Sequence, residues 1–376
     1  MAAVLWLGSL SNATPPQTSV MPSLAIAPVR MNPPTHLPAA LRRKKYSTAL
    51  EQMSARPKPY DRSSQEAPKV VIEKEYPYGE TKSYTASVRF NDRPGFLKCT
   101  SNKLLYTVEL YALNTIHANN PIQYGMPANT KDLFVKLLNS GRPRKNLHCI
   151  IFERINGISL KRFVSVLTTP QKDNILPRIF ADVIKGLKYI HRLGWVHGDI
   201  KPDNIIISRN PDGTPKVTII DFDMAQKVGN DLRLTFGGTS GYKAPEEYLK
   251  KPVNQYKRES WTVGATIYAA LMGSPPYGFS YDPELRDLSP WEKSDLESVM
   301  KQIAQTGVHA RTFFSPSKNT LLLSLMASLM ACKADERVTI NSSDTMLESQ
   351  LIASGKMPAS MDRIWAKLNG KYDMKL

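Results

Sequence analysis

The sequence predicts an α+β fold in a chain long enough for two lobes. Three observations point there. The chain has 376 residues, enough for one two-lobed domain with tails, each lobe having its own core. A long apolar stripe at helical spacing runs through its middle: Ile175, Ile179, Val183, Leu187 and Ile190, widened by Leu176, Phe180 and Ile184. Two short apolar runs follow, Ile205-Ile206-Ile207 and Val217-Thr218-Ile219-Ile220, which read as strands. Between them Asn210-Pro211-Asp212-Gly213 is a turn by composition.

From the N-terminus, the chain divides into four stretches. Residues 1–68 are rich in proline, serine and alanine and poor in acids, without sustained periodicity, and are expected to be disordered. Residues 69–153 form the β-rich lobe. Gly95-Phe96-Leu97-Lys98-Cys99 reads as a strand, and Val108–Leu113 as part of a helix with Leu105, Val108, Leu110 and Leu113 on its apolar face. Residues 154–353 form the helical lobe, and 354–376 a C-terminal tail.

One short loop carries most of the chemical information. His197-Gly198-Asp199-Ile200-Lys201-Pro202-Asp203-Asn204 brings together a carboxylate, an ammonium and a carboxamide, with Asp199 and Asn204 five positions apart. That is the spacing of H-R-D-x-x-x-x-N, with Gly198 in place of the arginine. The second strand after it ends in Asp221-Phe222-Asp223, and Gly238-Thr239-Ser240-Gly241-Tyr242-Lys243-Ala244-Pro245-Glu246 follows.

These segments resemble the eukaryotic protein kinase family, which implies a bilobal protein-kinase-like fold. By that resemblance Asp199 accepts the proton of an attacking hydroxyl, Lys201 neutralises the phosphoryl group in flight, and Asn204 and Asp221 hold magnesium. Thr239 bonds the catalytic aspartate and lysine. Glu246 pairs with Arg337, and Glu259 stands where the family has an aspartate that ties down the catalytic loop, just before Trp261-Thr262-Val263-Gly264. Lys98 and Glu109 match the lysine–glutamate pair that holds the ATP phosphates, at a shorter interval than usual. His117-Ala118-Asn119-Asn120 is similar to the turn that follows in the family. Phe152 is the residue beside the adenine pocket, and backbone groups of Glu153 and Ile155 meet adenine. The stretch Tyr78–Thr85 contains one glycine, Gly79. It reads either as a phosphate-covering loop with Tyr84 at its tip or as an ordinary hairpin.

The resemblance implies an ATP- and Mg2+-dependent serine/threonine kinase acting on protein substrates, with Lys201 two residues after the base favouring serine and threonine over tyrosine. Two departures carry consequences. Gly198 cannot pair with an activation-loop phosphate, so activity is expected not to depend on phosphorylation of Thr235. Asp223 replaces a hinge glycine and is expected to stiffen the loop and add negative charge. Such departures are common in fast-evolving kinases, those of large DNA viruses among them. A pseudokinase scaffold and a small-molecule phosphotransferase, which also uses H-G-D, remain alternatives.

Lysine plus arginine number 50 against 33 acids, a net charge of +17. Part of that excess lies in Arg42-Arg43-Lys44-Lys45, which suits nuclear import, an acidic or nucleic-acid partner, or a merely solvated run. The three cysteines, Cys99, Cys149 and Cys332, form no C-x-x-C. They are expected to remain reduced, without disulfide or zinc, in a nuclear or cytoplasmic protein. The acid-poor tail also keeps organelle targeting open. No run reaches transmembrane length.

Overall fold

The computed structural model describes residues 3–5, 69–76, 83–229, 231–235, 237–282, 284, 286–342, 346–359 and 361–372. Within the stretch expected to be disordered, β1 (Ala3–Leu5) pairs antiparallel with Phe313–Ser315. The basic run at 42–45 and Gly79 lie outside the described residues.

Five antiparallel strands make the N-terminal sheet, in the order β2 (Val70–Tyr76), β3 (Tyr84–Phe90), β4 (Arg93–Thr100), β6 (Leu147–Glu153), β5 (Leu137–Arg144). Side chains alternate across a strand. Leu97 and Cys99 therefore join Tyr84, Ala86, Val88, Cys149 and Ile151 in a small core on one face, while Lys98 stands on the other. This puts Tyr84 in the core, its hydroxyl donating to Glu75 at 2.8 Å, and not at the tip of a loop.

The cysteine expectation is corrected here. Cys99 and Cys149 lie directly opposite on β4 and β6, with Cα atoms 4.1 Å apart, and are joined by a disulfide. Fifty residues separate them in sequence, so only strand register brings them together. Cys332 is free and buried.

Helix α1 (Lys103–Ala118) is started by Asn102, whose side chain accepts from the amides of Leu104 and Leu105. Its buried face carries Tyr106, Leu113 and Ile116, and among them one charged residue, Glu109.

The helical lobe is organised by two central helices. After the short β7 (Gly157–Ser159) and α2 (Leu160–Val164), α3 (Thr169–Arg192) buries every member of its predicted apolar stripe. β8 (Trp195–Val196) leads into the 197–204 loop. β9 (Ile205–Arg209) and β10 (Pro215–Ile219) then pair antiparallel across the predicted turn, and β11 (Gln226–Lys227) returns beside β8. α4 (Gln255–Met272) is buried over nearly its whole length. α5 (Lys293–Thr306), α6 (Thr320–Leu329) and α7 (Leu347–Ser354) complete this lobe. No helix among the described residues is long and apolar enough to cross a membrane.

The stretch after residue 353 is not simply a tail. α8 (Met361–Tyr372) buries Met361, Ile364, Trp365 and Leu368, an i, i+3, i+4, i+7 stripe. The Trp365 indole donates to the Gly213 carbonyl at 2.7 Å.

His309 offers a pH test of this packing. Its ring stacks on Trp261, 5.7 Å between centroids, and lies 2.9 Å from the Tyr277 hydroxyl. Burial, reinforced by the nearby Arg337 charge, lowers its pKa to about 4. The unfolded chain thus binds a proton that the folded chain refuses as pH falls from 6.5 towards 4. This contribution, up to about 3 kcal/mol, is lost over that window. His309→Gln is expected to flatten the slope of chemical-denaturation stability between pH 6.5 and 4; an unchanged slope refutes the assignment.

Candidate active site

The 197–204 loop is held by a buried carboxylate. Glu259, on the first turns of α4 and 1% exposed, accepts the amides of His197 at 2.6 Å and Gly198 at 2.9 Å on one oxygen. Its other oxygen lies 2.5 Å from His191 Nε2 at the end of α3. Burial works against the charge, but His191 and the loop amides outweigh it and lower the Glu259 pKa. The extra methylene relative to aspartate lets one side chain span α3 and the loop. His191 is a partner that sequence reasoning missed, because nothing around it signals a contact with Glu259, 68 residues further along the chain.

The loop groups meet a second segment. Asp199 Oδ1 accepts the amide of Thr239 at 2.9 Å and its hydroxyl at 2.8 Å. Lys201 Nζ donates to Asp199 Oδ2 at 2.6 Å and to the Thr239 hydroxyl at 2.7 Å. Asn204 Nδ2 donates to the Asp199 carbonyl at 2.8 Å, so its amide oxygen is the atom left to act as a ligand. Downstream, Glu246 and Arg337 form a bidentate pair at 2.6 and 3.0 Å, with Arg337 fully buried beside Trp261.

Lys98 gathers the remaining charges. Its ammonium lies 2.9 Å from Glu109, 2.5 Å from Asp221 and 2.9 Å from Asp223. Burial opposes the lysine charge, yet Asp221, Glu109 and Asp223 together raise its pKa well above the ordinary value. Burial pushes Glu109 up to about 7 despite the ammonium. Burial and the neighbouring Asp221 charge also raise Asp223, whereas Lys98 lowers Asp221 against its burial. The left-handed backbone falls on Asp221, φ 69°, and not on Asp223. In this conformation Asp223 needs no left-handed backbone, and it brings its negative charge to Lys98 through its carboxylate. Its contact with Lys98 had no signal in the sequence.

The two clusters are tied together. His197 Nε2 lies 2.9 Å from the Ile220 carbonyl, and the Ile220 amide donates to Asn204 O at 3.0 Å. Phe222 packs on His197, and its amide donates to Glu109 at 3.2 Å. Asp221 and Asn204 supply the hard oxygen donors that magnesium prefers. Carboxylate oxygens of Glu109, Asp221 and Asp223 lie within 4.8 Å of one another.

A cavity of 420 Å³ opens beside Lys98, lined by Phe96, Val135, Phe152, Glu153, Ile155 and Ile220 among others. Its size and apolar walls suit a small ligand with a flat ring. The expected Phe152, Glu153, Ile155, Lys98, Glu109 and Asp221 thus all line one cavity.

A family model described as protein kinase domain matches residues 110–349. Similar proteins include sperm motility kinase 2B of Mus musculus, 30% identical over 209 residues, covering 55% of this chain and 38% of the relative. The DNA damage response protein kinase DUN1 of Saccharomyces cerevisiae is 28% identical over 240 residues, covering 58% and 42%. The serine/threonine-protein kinase dkf-2 of Caenorhabditis briggsae is 29% identical over 161 residues, covering 40% and 13%. The chain therefore spans less than half the length of each of these relatives.

Gly198 is a steric requirement of this loop. It has φ +86°, and a Cβ there would sit 2.1 Å from the Met224 carbonyl oxygen. Gly198→Arg, which would restore the H-R-D pattern, is expected to destabilise the fold by about 1–3 kcal/mol or more and to lower activity. A variant as stable and active as the parent refutes the clash.

Proposed function

The chain belongs to the protein kinase family, and we propose that it transfers the γ-phosphoryl group of ATP to serine or threonine hydroxyls of proteins in a Mg2+-dependent reaction. One observation carries this reading: a carboxylate, Asp199, held by Thr239 and Lys201 and joined through His197, Asn204 and Ile220 to the Lys98–Glu109–Asp221 cluster. That is an assembled site for phosphoryl transfer, where positioning and charge neutralisation do most of the catalysis.

In the proposed reaction the substrate oxygen attacks the γ-phosphorus in line. A new O–P bond forms, the bond to the ADP oxygen breaks, and the hydroxyl proton passes to Asp199. Thr239 orients Asp199 through its hydroxyl and amide. Lys201 balances charge on the phosphoryl oxygens. Lys98, kept in register by Glu109, donates to the α- and β-phosphates. Asn204 and Asp221 would hold Mg2+, which neutralises phosphate charge when bound. Glu153 and Ile155 face the nucleobase, with Phe152 beside it. Lys201, and similarity to a relative named as a serine/threonine-protein kinase, support serine and threonine as acceptors.

Asn in place of Asp199 keeps the shape and loses the base. Asp199→Asn is expected to lower kcat on a generic protein substrate by about 100- to 10,000-fold, with nucleotide binding retained. Equal rates for the two proteins overturn the assignment.

Asp223 supports a second reading, a scaffold that does not turn over. An ammonium has three donors, and Glu109, Asp221 and Asp223 accept from all of them. Phosphates must therefore compete with Asp223 for Lys98. Asp223→Gly is expected to tighten ADP binding measured by calorimetry about tenfold, or about 1.4 kcal/mol. No tightening means that Asp223 does not oppose the nucleotide.

A further inference from the structure

A second buried charge network lies beneath the site and takes no part in the reaction just described. Its centre is Arg258, one residue before Glu259 on α4 and 2% exposed. The guanidinium donates through one terminal nitrogen to the Gly198 carbonyl at 2.7 Å. Its Nε lies 2.9 Å from Glu247, which is equally buried. The other terminal nitrogen donates to the side-chain oxygen of Gln255 at 3.4 Å.

Each partner reaches a different stretch of chain. Gly198 precedes Asp199. Glu247 follows Glu246 and accepts the Ala244 amide at 2.7 Å. Buried Gln255 donates to the Arg233 carbonyl at 2.8 Å and approaches the Thr235 hydroxyl at 3.5 Å. A Cβ on Gly238 would sit 3.1 Å from the guanidinium, so Arg258 also packs under the residue before Thr239. One rigid fork therefore meets the loop that carries Asp199 and both ends of the 233–247 segment that carries Thr239. Arginine suits this work because its planar fork fixes direction as well as charge. Desolvating such a pair is costly, and breaking it from one side leaves a buried charge alone.

We infer that Arg258 is a positioning residue that docks the 233–247 segment against the catalytic loop through Glu247 and Gln255, so that the site assembles without a phosphate on Thr235. Carboxylate and carboxamide side chains supply the acceptors that a phosphate would otherwise bring. The inference rests on the kinase reading and adds to it which buried residue keeps Asp199 and Thr239 in register.

The test uses the full chain, phosphatase-treated and shown by intact mass to carry no phosphate. Because Arg258→Met alone strands Glu247, the informative variant is Arg258→Met with Glu247→Met, which removes both charges together and keeps the volume apolar. Calorimetry with ADP and Mg2+, thermal unfolding and steady-state kinetics are compared with the parent. The parent is expected to keep its turnover within about twofold after phosphatase. The double variant is expected to unfold cooperatively and bind ADP within about twofold, but to lose about 100-fold in kcat, the scale of a misplaced reacting group. Arg258→Lys, a point charge without the fork, is expected to fall between them. A merely structural role would lower ADP binding and folded fraction together. A double variant with parental kcat, or a parent that loses more than about tenfold with its phosphate, overturns the inference while leaving the kinase reading intact. A parent that shows no turnover in either phosphorylation state overturns the kinase reading and this inference with it.

Discussion

The buried carboxylate of Glu259 is the constraint from which the rest of the site follows. It is sealed inside the helical lobe, where an unpaired charge would be costly. Two loop amides and His191 satisfy it. Those contacts hold the backbone at 197–198 against α4 and α3. Gly198 can then turn with positive φ under the Met224 carbonyl, which aims Asp199 at Thr239. A shift of this carboxylate would move the base, the carboxamide and the Ile220 connection to Asp221 together.

The second organising feature is an excess of negative charge around Lys98. Glu109 comes from α1 in one lobe, while Asp221 and Asp223 come from the segment after β10 in the other. The ion cluster thus joins the sheet and its helix to the helical lobe. Three carboxylates around one ammonium cannot all be well compensated, and the opposite directions of the Asp221 and Asp223 pKa shifts record that imbalance. Added cations have an electrostatic reason to enter here, whereas a phosphate has to displace a carboxylate from Lys98. The cavity walls of Phe152, Val135 and Ile155 give an adjoining ring an apolar bed.

How much of this was legible in the sequence depends on the range of the contact. The α3 stripe, the β9–β10 hairpin and the α1 strand-to-helix order rest on local periodicity and turn chemistry, and they are found where the pattern puts them. Lys98, Glu109, Asp199, Lys201, Asn204, Asp221, Thr239, Glu246 and Arg337 were named from the resemblance of their segments to a known family; the fold brings all but the last two into two connected clusters and joins Glu246 to Arg337 as a separate pair. The Cys99–Cys149 bond was misjudged, the place of the Tyr84 side chain was left open between two readings, and the packing of α8 was not foreseen. Each depends on which strand or helix lies opposite, and that has no local signature.

The sequence by itself determined the α+β class, the positions of the motif residues and the absence of an arginine at 198. Those are statements about composition and spacing along one chain. Only the tertiary structure decided that Gly198 must be glycine, that Asp223 turns its carboxylate to Lys98, that Arg258 donates to the Gly198 carbonyl and that His191 meets Glu259 beneath the loop. The physical reason is common to all of them. A buried charge or a 2.1 Å clash is a property of neighbours many residues away, and burial changes the energy of a polar contact far more than the identity of the residue that makes it.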